Sequence, residues 1–154
     1  MVAEVNKQGQ IEEMNKFLKG IHMGGNTFKD YLDKAKDVEL KNNLVKIIES
    51  FKRHEEAITN RIEQLGGNPA DSLGVMGAMA SFFEKVKLMS VNNDFDVCQH
   101  AVEAIKMGIQ QGNKFIQEHK DIELSLMKEV QGVVKDYDDH LRSMEQMMAK
   151  FKNM

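Results

Sequence analysis

The amino-acid sequence predicts an all-α fold, a bundle of four long helices with a short crossover helix between the second and the third. Three observations carry this. Apolar residues recur at alternating steps of three and four through four long stretches, the spacing that keeps one face of a helix apolar. Near mid-chain, Leu65-Gly66-Gly67-Asn68-Pro69-Ala70-Asp71-Ser72 interrupts them. Its two glycines supply a left-handed helix end, the single proline stops the helix resuming, and Asp71 or Ser72 can cap the next one. Between this break and the third stretch there is room for a helix of its own.

The first helix is expected over about residues 8–36, with Ile11, Met14, Leu18, Ile21, Gly25, Phe28, Leu32 and Ala35 along its seam. Lys36-Asp37-Val38 breaks the pattern. The second helix, about 39–65, carries Leu40, Leu44, Ile47, Phe51, His54, Ile58, Ile62 and Leu65. So short a connection makes the two helices antiparallel neighbours. The crossover helix, about 72–90, opens on small and apolar residues and continues through Phe82, Phe83, Val86 and Leu88. If helical for about 18 residues it spans ~27 Å, close to one bundle length.

Val91-Asn92-Asn93-Asp94 reads as a turn with a capping residue. The third helix follows over about 94–118, with Cys98, Ala101, Ile105, Gly108, Gly112 and Phe115 on the seam and Val102, Ile109 and Ile116 broadening it. The pattern restarts after His119-Lys120-Asp121. The fourth helix, about 121–152, places Met127, Val130, Val134, Tyr137, Leu141, Met144, Met148 and Phe151 on its seam. Two hairpins joined by a connection as long as the bundle give the crossover connectivity of ferritin-like bundles, where a short loop would give up-down-up-down.

Composition bounds the function. A chain of 154 residues is expected to form one domain over residues 1–154 and to bury roughly 70% of the surface its unfolded chain exposes. Lys+Arg number 21 against 24 Asp+Glu, a net charge of −3, and the signs alternate along the chain. No basic footprint for nucleic acid is present. The single Cys98 cannot form an internal disulfide. The first twenty residues have no unbroken apolar run resembling a signal peptide, and no stretch approaches the ~20 apolar residues of a membrane span, so a cytoplasmic location is expected.

The run EQLGGNPADSLGVMGAMASFF, preceded by a helix ending in RHEEAITNRI, resembles a bacterial ferritin-like domain family of unknown function with a Leu-Gly-Gly-x-Pro linker and a small-residue helix after it. The resemblance covers roughly Phe17 to Met144. It implies a four-helix ferritin-like fold with a short crossover helix, and it supplies no activity.

Ferritin-like bundles that hold two iron ions use a Glu from each of two helices and Glu-x-x-His from each of the other two, so that hard oxygen ligands and imidazole converge on the cations. Counting residues from the helix ends sets a central layer of Gly25, Phe51 with His54, Gly108, and Val134 with Tyr137. Helix two therefore offers Phe-x-x-His, helix four Val-x-x-Tyr, and helices one and three only glycine. Of six expected ligands His54 alone is present. No dinuclear site, catalytic residue or cofactor is expected, and His54, Tyr137, Gly25 and Gly108 are expected to form a polar core layer. There His54 would be neutral and bonded to Tyr137 or a water, a bond worth about 1 kcal/mol net. The metal-binding alternative is a mononuclear site using His22 and His54 with Asp138 or Glu55.

Asp136 with His140, and His100 with Glu103, fall away from the seam and read as solvated surface. Glu49 does too. Cys98 lies on the apolar stripe, as an inert buried thiol would. Met23-Gly24-Gly25-Asn26 and Gly108-Ile109-Gln110-Gln111-Gly112 put glycines inside helices, where each costs up to about 1 kcal/mol against alanine. Close helix approach, a local kink, or a small cavity that admits a ligand would each account for them. At the C-terminus, Met147, Met148 and Phe151 would be exposed if the fourth helix overhangs the bundle, and would then seek a second copy of the chain. Membrane insertion there is a weaker option, since the polar face offers only Lys150 and Lys152. The sequence thus points to a non-enzymatic scaffold acting through self-association or a protein partner, with a metal-binding protein of non-standard ligands as the alternative.

Overall fold

The structure, a computed structural model, describes residues 2–70 and 91–153, with side chains from residue 7 onward. Its elements are α1 (Val2–Lys34), α2 (Val38–Gln64), α3 (Asp94–Glu118) and α4 (Leu124–Lys152), and no strand occurs among the described residues. The expected crossover helix at 72–90, with its cap at Asp71 or Ser72, lies outside them.

Local chemistry sets the helix ends. α1 stops at Lys34 because Asp37 is taken up as the N-cap of α2, its carboxylate accepting from the Leu40 N–H at 2.9 Å. α2 closes on Gly66, at φ +84°, with the Gly66 N–H donating to the Glu63 carbonyl and the Gly67 N–H to that of Ile62, both at 2.9 Å. This doubly bonded left-handed ending is open to glycine at little steric cost. Asn93 caps α3, accepting from the Asp96 N–H at 2.8 Å, and Asp94 and Asp96 place negative charge on its first turn, where the helix dipole favours it. α4 begins at Leu124, later than expected, after a turn in which the Ile122 N–H donates to the His119 carbonyl.

The helices form a four-cornered bundle. α1 packs against α2 and α3, and α4 against the same two. Asp94 fixes the directions, its two carboxylate oxygens accepting from the backbone N–H groups of Lys36 (2.8 Å) and Asp37 (3.0 Å). The start of α3 therefore sits at the α1–α2 turn, making α3 antiparallel to α1 and parallel to α2. Lys150 pairs with Glu39 at 2.6 Å, bringing the end of α4 to the same end of the bundle. At the far end, Asn68 and Ala70 bond to Asn15. Ala70 and the start of α3 therefore lie at opposite ends of the bundle, as a long-crossover connectivity requires. Asp94→Ala is expected to cost about 1 kcal/mol in a urea titration, since two backbone donors lose their acceptor; an unchanged midpoint would show that this tie contributes nothing.

The core follows the seams. Met14, Leu18, Ile21 and Phe28 of α1, Leu40, Leu44, Ile47, Ile58 and Ile62 of α2, and Cys98, Ala101 and Ile105 of α3 are all nearly inaccessible. α4 departs from expectation. Its buried residues are Leu126, Val130, Val133, Tyr137, Met144 and Met147, while Leu141 and Met148 are only partly buried against the core and Met127 is half-buried. The seam thus runs 126-130-133-137-140-144-147, sharing 130, 137 and 144 with the expected one and turned from it by less than one position. Both flanks of α4 are apolar, so composition alone left its rotation open. One consequence is that Met147 is core, 4% exposed, and Met148 and Phe151 are packed beside it. They do not form the exposed C-terminal patch expected to seek a second copy. Among the described residues no helix is long and apolar enough to cross a membrane.

Candidate functional site

At mid-height the space between the helices is filled by rings. Phe51 of α2 and Tyr137 of α4 face each other with centroids 5.3 Å apart, and Phe28 of α1 lies 5.5 Å from Phe51. The helices opposite make room for them. A Cβ on Gly24 would stand 2.6 Å from Phe51 Cε1, and one on Gly108 would stand 2.9 Å from Tyr137 Cε2. Gly25, the position counted into this layer from the sequence, would place its Cβ at an ordinary 3.8 Å from Phe51 Cβ. The glycine under the ring is therefore Gly24. Gly112 is filled in the same way, by Val134 at 2.5 Å. Burial pushes the Tyr137 hydroxyl well above the usual phenol range, so this ring stays neutral.

The polar groups lie on the flanks of this layer, and their pairing differs from the expected one. His54 does not reach Tyr137; its Nε2 meets Asp136 Oδ2 at 2.6 Å, joining α2 to α4. Asp136 is thus an interhelical partner, its side chain still 38% exposed. His140, one turn further along α4, occupies a seam position, and its Nε2 is buried without a hydrogen-bond partner. Asp138 is exposed and Glu49 is exposed. His22 is 7% exposed and holds two partners, Nδ1 facing Glu55 Oε1 and Nε2 facing the Ala70 carbonyl, each at 2.9 Å. Both are acceptors, so the ring donates to both only when doubly protonated. His119 meets Glu13 at 3.2 Å and lies against Phe115, tying the end of α3 to α1. His100 offers its carbonyl to the Tyr31 hydroxyl, at 3.4 Å.

Such pairs stitch helices together and leave little ligand capacity. Among the described residues no three His, Cys, Asp or Glu side chains could hold a metal ion. The donor set at mid-height, two aromatic rings and two glycines, does not fit a pair of cations, which need converging carboxylates. His22 and His54, the candidates for a mononuclear site, each spend a ring nitrogen on a different carboxylate and sit in different helix pairs. Cys98 is fully buried, and its thiol is pushed up to about 12 by burial, with Asp94 and Asp37 adding to the shift. It remains an unreactive thiol.

His140 gives the pH behaviour a sign. Burial lowers its pKa below the usual histidine value; Asp136 and Asp139 oppose this, while His54 and Arg53 add to it. The folded chain then binds the proton less tightly than the unfolded chain, so the stability this group contributes is lost as pH falls below the unfolded value near 6.5. Between about pH 7 and about pH 5 the native protein is expected to lose more stability than His140→Leu, read from urea midpoints. Equal losses would remove His140 as the source.

Four packed helices, with α2 and α3 joined between opposite ends of the bundle, define the class: an all-α ferritin-like bundle. The chain belongs to the family described as Domain of unknown function (DUF2383), whose model matches residues 10–118. A solved structure similar to it is a two-domain protein from Anabaena variabilis ATCC 29413 containing DJ-1/ThiJ/PfpI-like and ferritin-like domains. The two share 19% sequence identity with a TM-score of 0.77, over 96% of this chain and 41% of that one. At that identity the likeness speaks for the fold alone. No curated protein matches the sequence.

Proposed function

We propose that this protein is a non-enzymatic ferritin-like scaffold that works by binding and not by metal-centred chemistry. One observation carries the proposal: the bundle centre is packed with the Phe51 and Tyr137 rings against Gly24 and Gly108. Oxygen and peroxide chemistry in a bundle of this kind needs carboxylates where these rings lie. A scaffold needs only a stable core and a surface or cavity to present. Among the described residues the exposed large apolar side chains, Val38, Val45, Met107 and Leu124, are scattered singly over three helices.

Metal analysis of protein purified without chelator or affinity tag tests this. Well below one metal ion per chain is expected. Stoichiometric iron, manganese or zinc would overturn the proposal and favour the metal-binding alternative, with His54, Asp136 and His140 the first residues to substitute. Light scattering on the same sample reads self-association directly. A strict monomer would leave a different binding partner as the remaining form of the scaffold.

A further inference from the structure

The four corners of the bundle are not equally closed. Among the described residues, a cavity of about 510 Å³ lies between α1 and α3 and reaches inward to the ring layer. Small residues stand among the larger ones on both of its walls. Gly20 and Gly24 on α1 and Ala104 and Gly108 on α3 are these small residues. Small residues at such positions would ordinarily let two helices approach closely. Here the Phe51 and Tyr137 rings press against Gly24 and Gly108 from below and hold the pair apart. Those two rings, with Phe17, Phe28 and Phe115, make an aromatic floor. Water gains few hydrogen bonds on such a surface. Volume and lining both suit a small molecule.

The rim fixes the sign of its charge. Lys16, Lys19 and Lys114 stand at the cavity, against Glu13 and Glu118. Glu13 is already engaged, by Lys16 at 3.1 Å and by His119 at 3.2 Å. Neither Lys19 nor Lys114 has a carboxylate partner among the described residues. α1 and α3 run antiparallel, so these lysines gather towards one end, while Gly24, Thr27 and Ala104 lie towards the other. From Glu13 to Thr27 the wall rises about 21 Å along α1.

We propose that the cavity between α1 and α3 binds a small amphipathic monocarboxylate, its apolar body along the aromatic floor beneath Gly24 and Gly108 and its carboxylate at Lys19 and Lys114. A body of roughly eight to twelve carbons suits the space. This goes beyond the scaffold reading, since it names the ligand that the bundle presents.

The probe is decanoate, titrated calorimetrically into the whole chain, with decanol as the uncharged control. Saturable one-to-one binding is expected, at least about tenfold tighter for decanoate than for decanol. Gly20→Phe is aimed at the cavity from a position where a Cβ meets nothing within 4 Å. It is expected to weaken decanoate at least about tenfold while the melting temperature holds or rises. Lys19→Gln with Lys114→Gln is expected to weaken decanoate by about tenfold and leave decanol unchanged. No saturable binding up to about 1 mM, or undiminished binding by a folded Gly20→Phe, would overturn the proposal. Equal affinity for decanol would overturn the carboxylate assignment. Metal found in the purified protein would overturn the scaffold reading and leave this titration's outcome standing, so the two can fail separately.

Discussion

Phe51→Ala is expected to lower the free energy of unfolding by about 3–5 kcal/mol in chemical denaturation, the largest loss from any single truncation considered. The ring is 6% exposed and lies between Phe28 and Tyr137, with centroids 5.5 and 5.3 Å away. Three terms add. Burial of the ring is lost, a cavity opens, and two aromatic contacts worth about 0.5–1.5 kcal/mol each disappear. The surroundings cannot collapse to recover much of this. Tyr137 is already seated on Gly108, and α1 approaches α2 at Gly24, which has no side chain to swing in. Phe51→Leu keeps part of the volume and should cost markedly less. A loss under about 1 kcal/mol for Phe51→Ala would mean that the ring does not fill the bundle centre. The space that a metal pair requires would then be open, and the scaffold proposal would lose its footing.

What the sequence disclosed was periodicity, and periodicity fixes helices and their apolar faces well. Met14, Leu18, Ile21 and Phe28 are buried as their three-and-four spacing implies, and so are Leu44, Ile47, Phe51 and Ile58. That the connection between α2 and α3 joins opposite ends of the bundle was legible from its length. Rotation about a helix axis was less so where the stripe is broad. On α4, Leu126 and Met127, Val133 and Val134, and Met147 and Met148 are equally apolar neighbours, and packing against α2 and α3 chose the first of each pair. That choice moves the inward face far enough to turn Asp136 towards His54 and to place His140 on the seam. Pairings such as His22 with Glu55 and His119 with Glu13 join residues far apart in sequence by a few ångströms at helix flanks. Spacing within one helix carries no information about the height or twist of its neighbour. The glycines were visible as anomalies whose purpose was not. Only the ring positions show that Gly24 and Gly108 are seats for aromatic side chains and that Gly20 borders open space.

Gly24 and Gly25 are expected to respond in opposite directions to the same substitution. Gly24→Ala should destabilise by about 1–3 kcal/mol, as overpacking of a filled core does, whereas Gly25→Ala should stabilise by up to about 1 kcal/mol. Both positions lie in α1, and alanine gains the same helical preference at each. The difference between the two variants therefore isolates what the new methyl group meets. At 24 it would stand 2.6 and 2.8 Å from Phe51 Cε1 and Cζ; at 25 its nearest neighbour is Phe51 Cβ at 3.8 Å. Phe51 cannot swing clear, because Phe28 and Tyr137 hold it from two sides. Placing Gly24→Ala in a Phe51→Leu background should remove most of its cost, a coupling on the order of 1 kcal/mol in a double-mutant cycle. If both alanine variants stabilise, the ring does not rest on Gly24, and the wedge that keeps α1 and α3 apart is absent. The cavity between those helices would then have no physical cause, and decanoate binding would have to be explained by another surface.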